Sequence, residues 1–473
     1  MTNFIKKESK VPLYRQVMNQ IISQIEEGAL VKDERLLSER ALAKELDVNR
    51  STIVRAYEEL HAQGFVVRKS NSGTYVLGKY SGSLSKENLN FYGSNSLKKE
   101  SDKDSYIKKV ERKINEGDIE FINAYTGELP LNLIPKVNLS NVPFEEFLQE
   151  EVPHLGYEPL RNEITFLFEK MYNFKVNKNN IMLTAGGQQS LFLLIQTLLK
   201  PGDTIVVEEP SFFYDISLFK KMSINVIQIA VDKKGMKVSQ LAMLLEKKNI
   251  QLVLTNPNFQ NPTGSSMSLE RRHELIDLCE KYRIPIIEDD VFGQLSYWTP
   301  NPLPLLKELA PKSVIYIGSL SKVLGKKIQL GWIEAPEVIL EEVVRLRDEY
   351  ESELSIFPQV LATYVLQDLD FEKQLIKLRI ELKEKMIFLQ SEIKLNLHQS
   401  VSCVLPKGGY YAWLTIHQKE LMKKDWHELL SKGIAVYPSF LDKGDCQSCR
   451  LNMARLTNEE IKILVHYLKE MLI

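Results

Sequence analysis

Cysteine is scarce in this sequence, four among 473 residues, which excludes a disulfide framework. Cys446 and Cys449 form one CxxC, but no second Cys or His pair stands at zinc-like spacing. Free thiols are expected there, with a redox pair as the lesser alternative. No apolar run reaches the roughly 18 residues of a membrane span. The N-terminal MTNFIKKESK lacks the apolar core of a signal peptide, so a cytoplasmic protein is expected. An excess of charge is missing too. Lys+Arg number 61 and Asp+Glu 62, a net −1, which argues against a chain coated with nucleic acid along its length. The balance is uneven, with residues 1–79 net basic and the remainder net acidic. Nucleic-acid contact confined to the head fits that asymmetry.

What is present is length for two or three domains and 44% apolar residues, enough for a sizeable core. Residues 10–77 read as one module. Leu13, Val17, Ile21 and Ile25 recur every four residues, the stripe of an amphipathic helix that Gly28 ends. Ser38 caps a short second helix with Leu42 and Leu46 inward. After the turn Asp47-Val48-Asn49, a third helix runs from about Arg50 to Gln63, with Ile53, Val54, Tyr57 and Leu60 inward and Gly64 as its stop. Two β-like runs, 65–68 and 74–77, flank the turn-forming Ser70-Asn71-Ser72-Gly73. Three helices and a hairpin in this order predict a winged helix-turn-helix whose third helix enters the major groove. Arg50, Ser51 and Thr52 then face the bases. Arg40, Arg55, Arg68 and Lys69 are placed for phosphates, and Gly73 lets the wing approach the minor groove. A small helical domain with solvated arginines is the plain alternative. The stretch LLSERALAKELDVNRSTIVRAYEELHAQGFVVRKSNSGTYV resembles the DNA-binding domain of the GntR superfamily almost throughout, with Leu37 where members usually carry Pro.

From Gly78 to Ser105 serine, glycine, asparagine and charge dominate without a sustained period, so residues 78–120 are expected to be a flexible linker. Beyond it, over 121–473, apolar runs at 181–184, 204–208, 225–230, 252–255, 285–289 and 314–318 alternate with helical stretches. That pattern predicts an α/β domain, a mostly parallel sheet with helices on both faces and ligand sites at the strands' C-terminal ends. Polar clusters fall at those ends. Thr184-Ala185-Gly186-Gly187-Gln188-Gln189 opens a helix and suits a phosphate, although many strand-to-helix turns carry glycines. The rigid loop 255–264 presents Asn261, whose amide can bond a phenolic oxygen; a structural turn is the alternative. Asp289, in the acidic run 288–290, suits a protonated pyridine nitrogen, a metal or a buried cation. Lys322, in Gly318-Ser319-Leu320-Ser321-Lys322, can form a Schiff base with an aldehyde, although most such lysines are merely solvated. Arg450, downstream of Pro406-Lys407-Gly408-Gly409-Tyr410-Tyr411-Ala412-Trp413, can fork onto a carboxylate, although a lone Arg is usually a surface ion pair.

The order of these clusters resembles the fold-type-I, class I/II aminotransferases over nearly all of 121–473. That resemblance implies a smaller C-terminal subdomain and pyridoxal 5′-phosphate (PLP) in a Schiff base with Lys322. It further implies Asp289 on the ring nitrogen, Asn261 on the ring hydroxyl, and Phe212 stacked on the ring. Gly187, Gln188, Ser319 and Ser321 fall near the phosphate, Arg450 meets a substrate carboxylate, and Gly127 lies at the substrate mouth. Two positions depart from the family. Gln329 stands where an Arg usually binds phosphate, and Phe292 where a Tyr usually meets the ring oxygen. Both departures imply weaker cofactor retention and poor turnover. A GntR-type head on an aminotransferase-type body resembles the MocR subfamily of regulators. It implies a head-to-tail homodimer whose amino acid or amine effector alters binding to a double-stranded DNA operator. A working aminotransferase with an accessory head, and a DNA-binding protein whose large domain has lost PLP, are the alternatives.

Overall fold

The computed structural model describes residues 11–26, 29–31, 33–69, 72–77, 102–117, 121–137, 142–148, 153–297, 303–351, 354–442 and 444–472. The chain divides into two units, 1–99 and 100–473. Three expectations lie outside the described residues: Gly28 as a helix stop, the Ser70-Asn71 wing tip, and the linker up to Ser101.

In the first unit, α1 (Leu13–Glu26), α2 (Glu39–Glu45) and α3 (Arg50–Ala62) precede a hairpin of β1 (Val66–Lys69) and β2 (Gly73–Val76). Val17, Ile21 and Ile25 of α1 pack with Leu42, Ile53, Ala56, Tyr57, Leu60, Val66 and Val76 into one core. Ser38 Oγ accepts from the Ala41 N–H at 3.2 Å, starting α2. Asn49 Oδ1 does the same for Ser51 N–H at 3.0 Å, so Asn49 is a helix cap and not merely a turn residue. Val54 corrects the expected inward set: it is only half-buried and lies on the outer face of α3, while Ala56 takes its place in the core. Gly73 adopts φ +119°, and a Cβ there would stand 2.8 Å from Arg35 Nε, so the hairpin requires glycine at this position.

The second unit contains an eight-stranded sheet in the order 181–184, 331–334, 314–319, 286–289, 252–255, 204–209, 225–232, 235–236. Its six long-foreseen strands run parallel; Gly331–Glu334 and the edge Gly235–Met236 run against them. Alternate residues of one strand serve opposite faces, and both faces are covered. Ile205, Val207, Leu252, Leu254, Ile287 and Ile315 join one core, whereas Val206, Val253, Ile286 and Val314 join another. That two-sided burial is why these strands read as continuous apolar runs.

A four-stranded antiparallel sheet, in the order Val401–Cys403, Tyr411–Ile416, Ser448–Asn452, Tyr437–Pro438, forms the smaller C-terminal layer. Here the linker expectation needs correction. Asp102–Glu116 is a helix, α4, and its Tyr106 and Val110 are fully buried in the core of this layer. Cys449 is buried in the same core, where desolvation pushes its thiol pKa upward; all four cysteines are free thiols.

Candidate functional site

On the first unit, the outer face of α3 is a shallow cleft lined by Arg50, Ser51, Val54, Arg55, Glu58, Glu59 and Ala62. Their spacing of three and four places them on one helical face. Arg50 and Arg68 both reach Glu39, at 3.2 and 3.4 Å. Arg55 lies over the Tyr14 ring at 4.1 Å and Lys69 over the Tyr75 ring at 4.6 Å. Arg40 is exposed, Thr52 is half-buried, and the Ser51 hydroxyl donates to Asn49 Oδ1 at 2.9 Å. Sequence reasoning missed Glu39, a carboxylate that gathers two of the arginines on this face. Its position in LLSER carried no signal beyond its charge.

On the second unit, the foreseen residues converge at the C-terminal ends of the parallel strands. Lys322 sits on a one-turn helix after Val314–Ser319, with Nζ 3.2 Å from the Gly127 carbonyl oxygen and 5.1 Å from the centre of the Phe292 ring. Among the described residues it makes no ion pair. Asp289 ends its strand, and its carboxylate accepts from the Val291 N–H at 3.2 Å. Burial raises its pKa to about 6, the nearby Asp290 adds to the rise, and Lys322 opposes it. The neighbouring Asp290 is held by Tyr172 and Tyr316 hydroxyls at 2.7 and 3.0 Å and by Asn258 Nδ2 at 3.0 Å. Asn256 Nδ2 donates to the Asp289 carbonyl at 2.9 Å. The strand end that presents Asp289 is therefore fixed from below.

Arg450 is buried on Ser448–Asn452, sandwiched between Tyr411 and Tyr437 with each ring centre 4.3 Å away. One terminal nitrogen donates to Asn261 Oδ1 at 2.9 Å and the other to the Tyr125 carbonyl at 3.1 Å. Its Nε is buried without a hydrogen-bond partner. Asn261 in turn accepts the Phe212 N–H on its carbonyl at 3.2 Å, which brings the 38% exposed Phe212 ring segment to the same loop. The Gly127 oxygen receives Lys322 and also the hydroxyls of Tyr410 and Tyr411 at 3.2 and 3.1 Å. A Cβ on Gly127 would stand 2.9 Å from the Tyr411 hydroxyl, so the glycine permits this approach. Tyr410, Tyr411 and Tyr437 had no assigned role in the sequence; the Tyr410-Tyr411 pair beside two glycines was the available signal.

Gly187 begins the helix Gly187–Leu198, and the preceding Gly186 turn, φ +92°, faces Ser321 Oγ and Gln329. Ser319 Oγ donates to the Leu330 carbonyl at 2.9 Å and accepts from the Ser321 N–H at 3.1 Å. Its hydroxyl is thus engaged in joining the lysine loop to strand 331–334. Gln188 is exposed, and so is Gln329. Lys326 is paired with Glu128 at 2.7 Å.

Residues 148–468 match the family model "Aminotransferase class I and II", and residues 13–76 match "Bacterial regulatory proteins, gntR family". The HTH-type transcriptional regulator NorG of Staphylococcus aureus (strain USA300) is 30% identical over 434 residues, covering 90% of this chain and 96% of NorG. The uncharacterized HTH-type transcriptional regulator YdfD of Bacillus subtilis is 29% identical over 449 residues, covering 91% and 90%. A kynurenine aminotransferase of Pyrococcus horikoshii, solved in complex with PMP, superposes with a TM-score of 0.71 at 26% identity, covering 81% of this chain and 96% of its own. No helix among the described residues is long and apolar enough to cross a membrane. A GntR-type winged helix that binds DNA, an aminotransferase-type body and relatives that match across both place the chain in the MocR subfamily of GntR transcription regulators.

Proposed function

We propose that this transcription regulator is cytoplasmic, holds PLP at Lys322, and senses an amino acid or amine there, so that occupancy alters its binding to DNA. The observation that supports this reading is that Lys322 bonds the Gly127 carbonyl and acts electrostatically on Asp289, while Arg450 bonds Asn261 and the Tyr125 carbonyl two residues before Gly127. The donor set fits the cofactor's chemistry. Lys322 offers an amine free of any ion pair among the described residues. Asp289 offers a carboxylate that a cationic ring nitrogen would hold ionised. The Gly186-Gly187 turn, with a helix N-terminus and Ser321 beside it, offers an anion cradle. When bound, the cofactor supplies an electrophilic carbon and an electron-withdrawing ring. Arg450 would hold the effector carboxylate, its guanidinium plane fixed by Tyr411 and Tyr437. Asn261, already bonded to Arg450, would join that carboxylate contact to the ring hydroxyl. Phe292 is buried against Tyr410 and Tyr411, and it presents a ring face where a hydroxyl would otherwise lie. A head-to-tail homodimer belongs to this reading. Affinity for DNA changes only when effector and DNA favour different arrangements of the protein.

The test is a visible absorbance titration of the purified protein with PLP, followed by DNA-binding measurements with and without PLP and candidate amino acids. A band that appears with PLP and is absent from Lys322→Ala is expected, together with a DNA affinity that responds to effector only when PLP is bound. DNA binding indifferent to every combination would sink the sensing role. Likeness to aminotransferases across the whole body favours a second reading, a working transaminase. Turnover with an amino acid and an oxo acid separates the two, and Gln329 with Phe292 favours its being poor.

A further inference from the structure

Residues 124–128 cross the site as a strap, and each of their carbonyl oxygens accepts a hydrogen bond from it. The donors alternate. Ala124 accepts from the Asn452 N–H at 2.8 Å, and Thr126 and Glu128 accept from Asn452 Nδ2 at 2.6 and 2.9 Å. Between them, Tyr125 accepts from Arg450 at 3.1 Å and Gly127 from Lys322 Nζ at 3.2 Å. The two basic side chains of the site thus take the odd carbonyls, and one fully buried asparagine takes the even ones. Asn452 Oδ1 accepts from the Ala454 N–H at 3.1 Å, so the amide cannot turn over without losing its bonds. The Gly127 oxygen is contested. A carbonyl has two lone pairs, and here Lys322, Tyr410 and Tyr411 all donate to one. The direction in which that oxygen points decides which donor gains.

We propose that Asn452 is a positioning residue for the Lys322 amine: by fixing the carbonyls on either side of Gly127, it turns the Gly127 oxygen toward Nζ. The proposal rests on the reading of Lys322 as the lysine that holds PLP. Condensation with an aldehyde forms a C=N bond and sheds two amine hydrogens with the aldehyde oxygen as water. The condensed nitrogen keeps at most one hydrogen, whereas the free amine has two or three to donate. The Gly127 bond therefore favours the free amine, and Asn452 sets how readily an incoming amine releases the lysine.

Semicarbazide is a suitable probe, a small nucleophile without a carboxylate for Arg450 to hold. It forms its own C=N bond to the aldehyde carbon, and its two amine hydrogens pass to Nζ as the lysine leaves. In the full-length chain loaded with PLP, the semicarbazide concentration that removes half of the lysine–PLP absorbance band is measured. It should rise about threefold or more in Asn452→Ser, with PLP bound no more weakly than by the unaltered chain. Tyr410→Phe removes a competing donor and should lower the same concentration by a similar factor. Mere loosening of the fold would instead weaken PLP binding and ease displacement in Asn452→Ser; that outcome overturns the proposal. So does an unmoved midpoint in either variant, or a shift of the same sign in both. Should Asn452→Ser not fold, Tyr410→Phe decides by itself. No band in the unaltered chain sinks the PLP reading of Lys322, and this proposal with it.

Discussion

At position 289 a carboxylate is kept where burial lifts its pKa to about 6, while Glu208 and Glu288 behind it rise to about 7 for the same reason. Each is protonated more readily in the folded chain than in the unfolded one, so each contributes stability at low pH that is lost as pH rises through 6 to 7. Asp289→Asn carries no charge to bury. The variant should therefore gain on the unaltered, cofactor-free protein as pH rises from 4 to 7, by an amount of order 2 kcal/mol. Urea unfolding midpoints at the two pH values check this; a constant difference would contradict it. Restoring the family residue by Gln329→Arg should tighten PLP binding by about 1 kcal/mol or more, a shift of several-fold in the absorbance titration. Unchanged affinity would count against the phosphate assignment. At this scale the polar residues near the strand ends were legible, because Asp289 closes an apolar run and Lys322 and Asn261 follow theirs by three and six residues. The cage around Arg450 was not. Tyr411 and Tyr437 reach it through sheet pairing, which puts Tyr437 opposite Arg450 and Tyr411 two residues from its other neighbour, Trp413. Val54 was misjudged for a related reason. Hydrophobicity marks a residue that avoids water, but it does not say whether the core or a DNA groove relieves it.

The recognition helix depends on its first turn. Asn49→Ala removes the acceptor for Ser51 N–H and should cost the first unit about 1 kcal/mol, with weaker DNA binding in proportion to the fraying of Arg50 and Ser51. Thermal melting and a DNA titration measure the two effects. Glu39→Gln should do the opposite for DNA. Its exposed ion pairs contribute little to stability, yet they engage the Arg50 and Arg68 guanidiniums, which the substitution would free for DNA. Affinity for DNA should rise, and the dependence of log affinity on log salt should steepen. Unaltered salt dependence would show that neither arginine meets the backbone. The elements themselves were largely readable. Six parallel strands were foreseen within one or two residues of their bounds, because burial on both faces gives most of them a largely apolar middle. Gly331–Glu334 escaped notice, since four residues beginning with glycine directly after a loop give no period to detect. Helix α4 escaped for the reverse reason. DKDSYIKKVERKINE is mostly charge, and two buried residues four apart, Tyr106 and Val110, carry its packing.

Each unit has a hydrophobic core of its own, so the whole molecule should unfold in two steps. Calorimetry with PLP should shift only the transition of the larger unit, and operator DNA should shift the smaller one. A single transition, moved equally by both, would mean the units are thermodynamically fused. The division into head and body was visible in the sequence from the charge asymmetry and the change from helical to strand–helix periodicity. Where the body begins was not, because α4 reads as spacer. That misread helix has a consequence for signalling. The Tyr106 hydroxyl donates to the Val436 carbonyl at 2.9 Å, and the next residue, Tyr437, stacks on Tyr125 and covers Arg450. Helix α4 is thus rooted one residue away from the ring that covers Arg450. If Arg450 holds an effector as proposed, a peptide bond and two aromatic rings connect it to the chain that leads to the head.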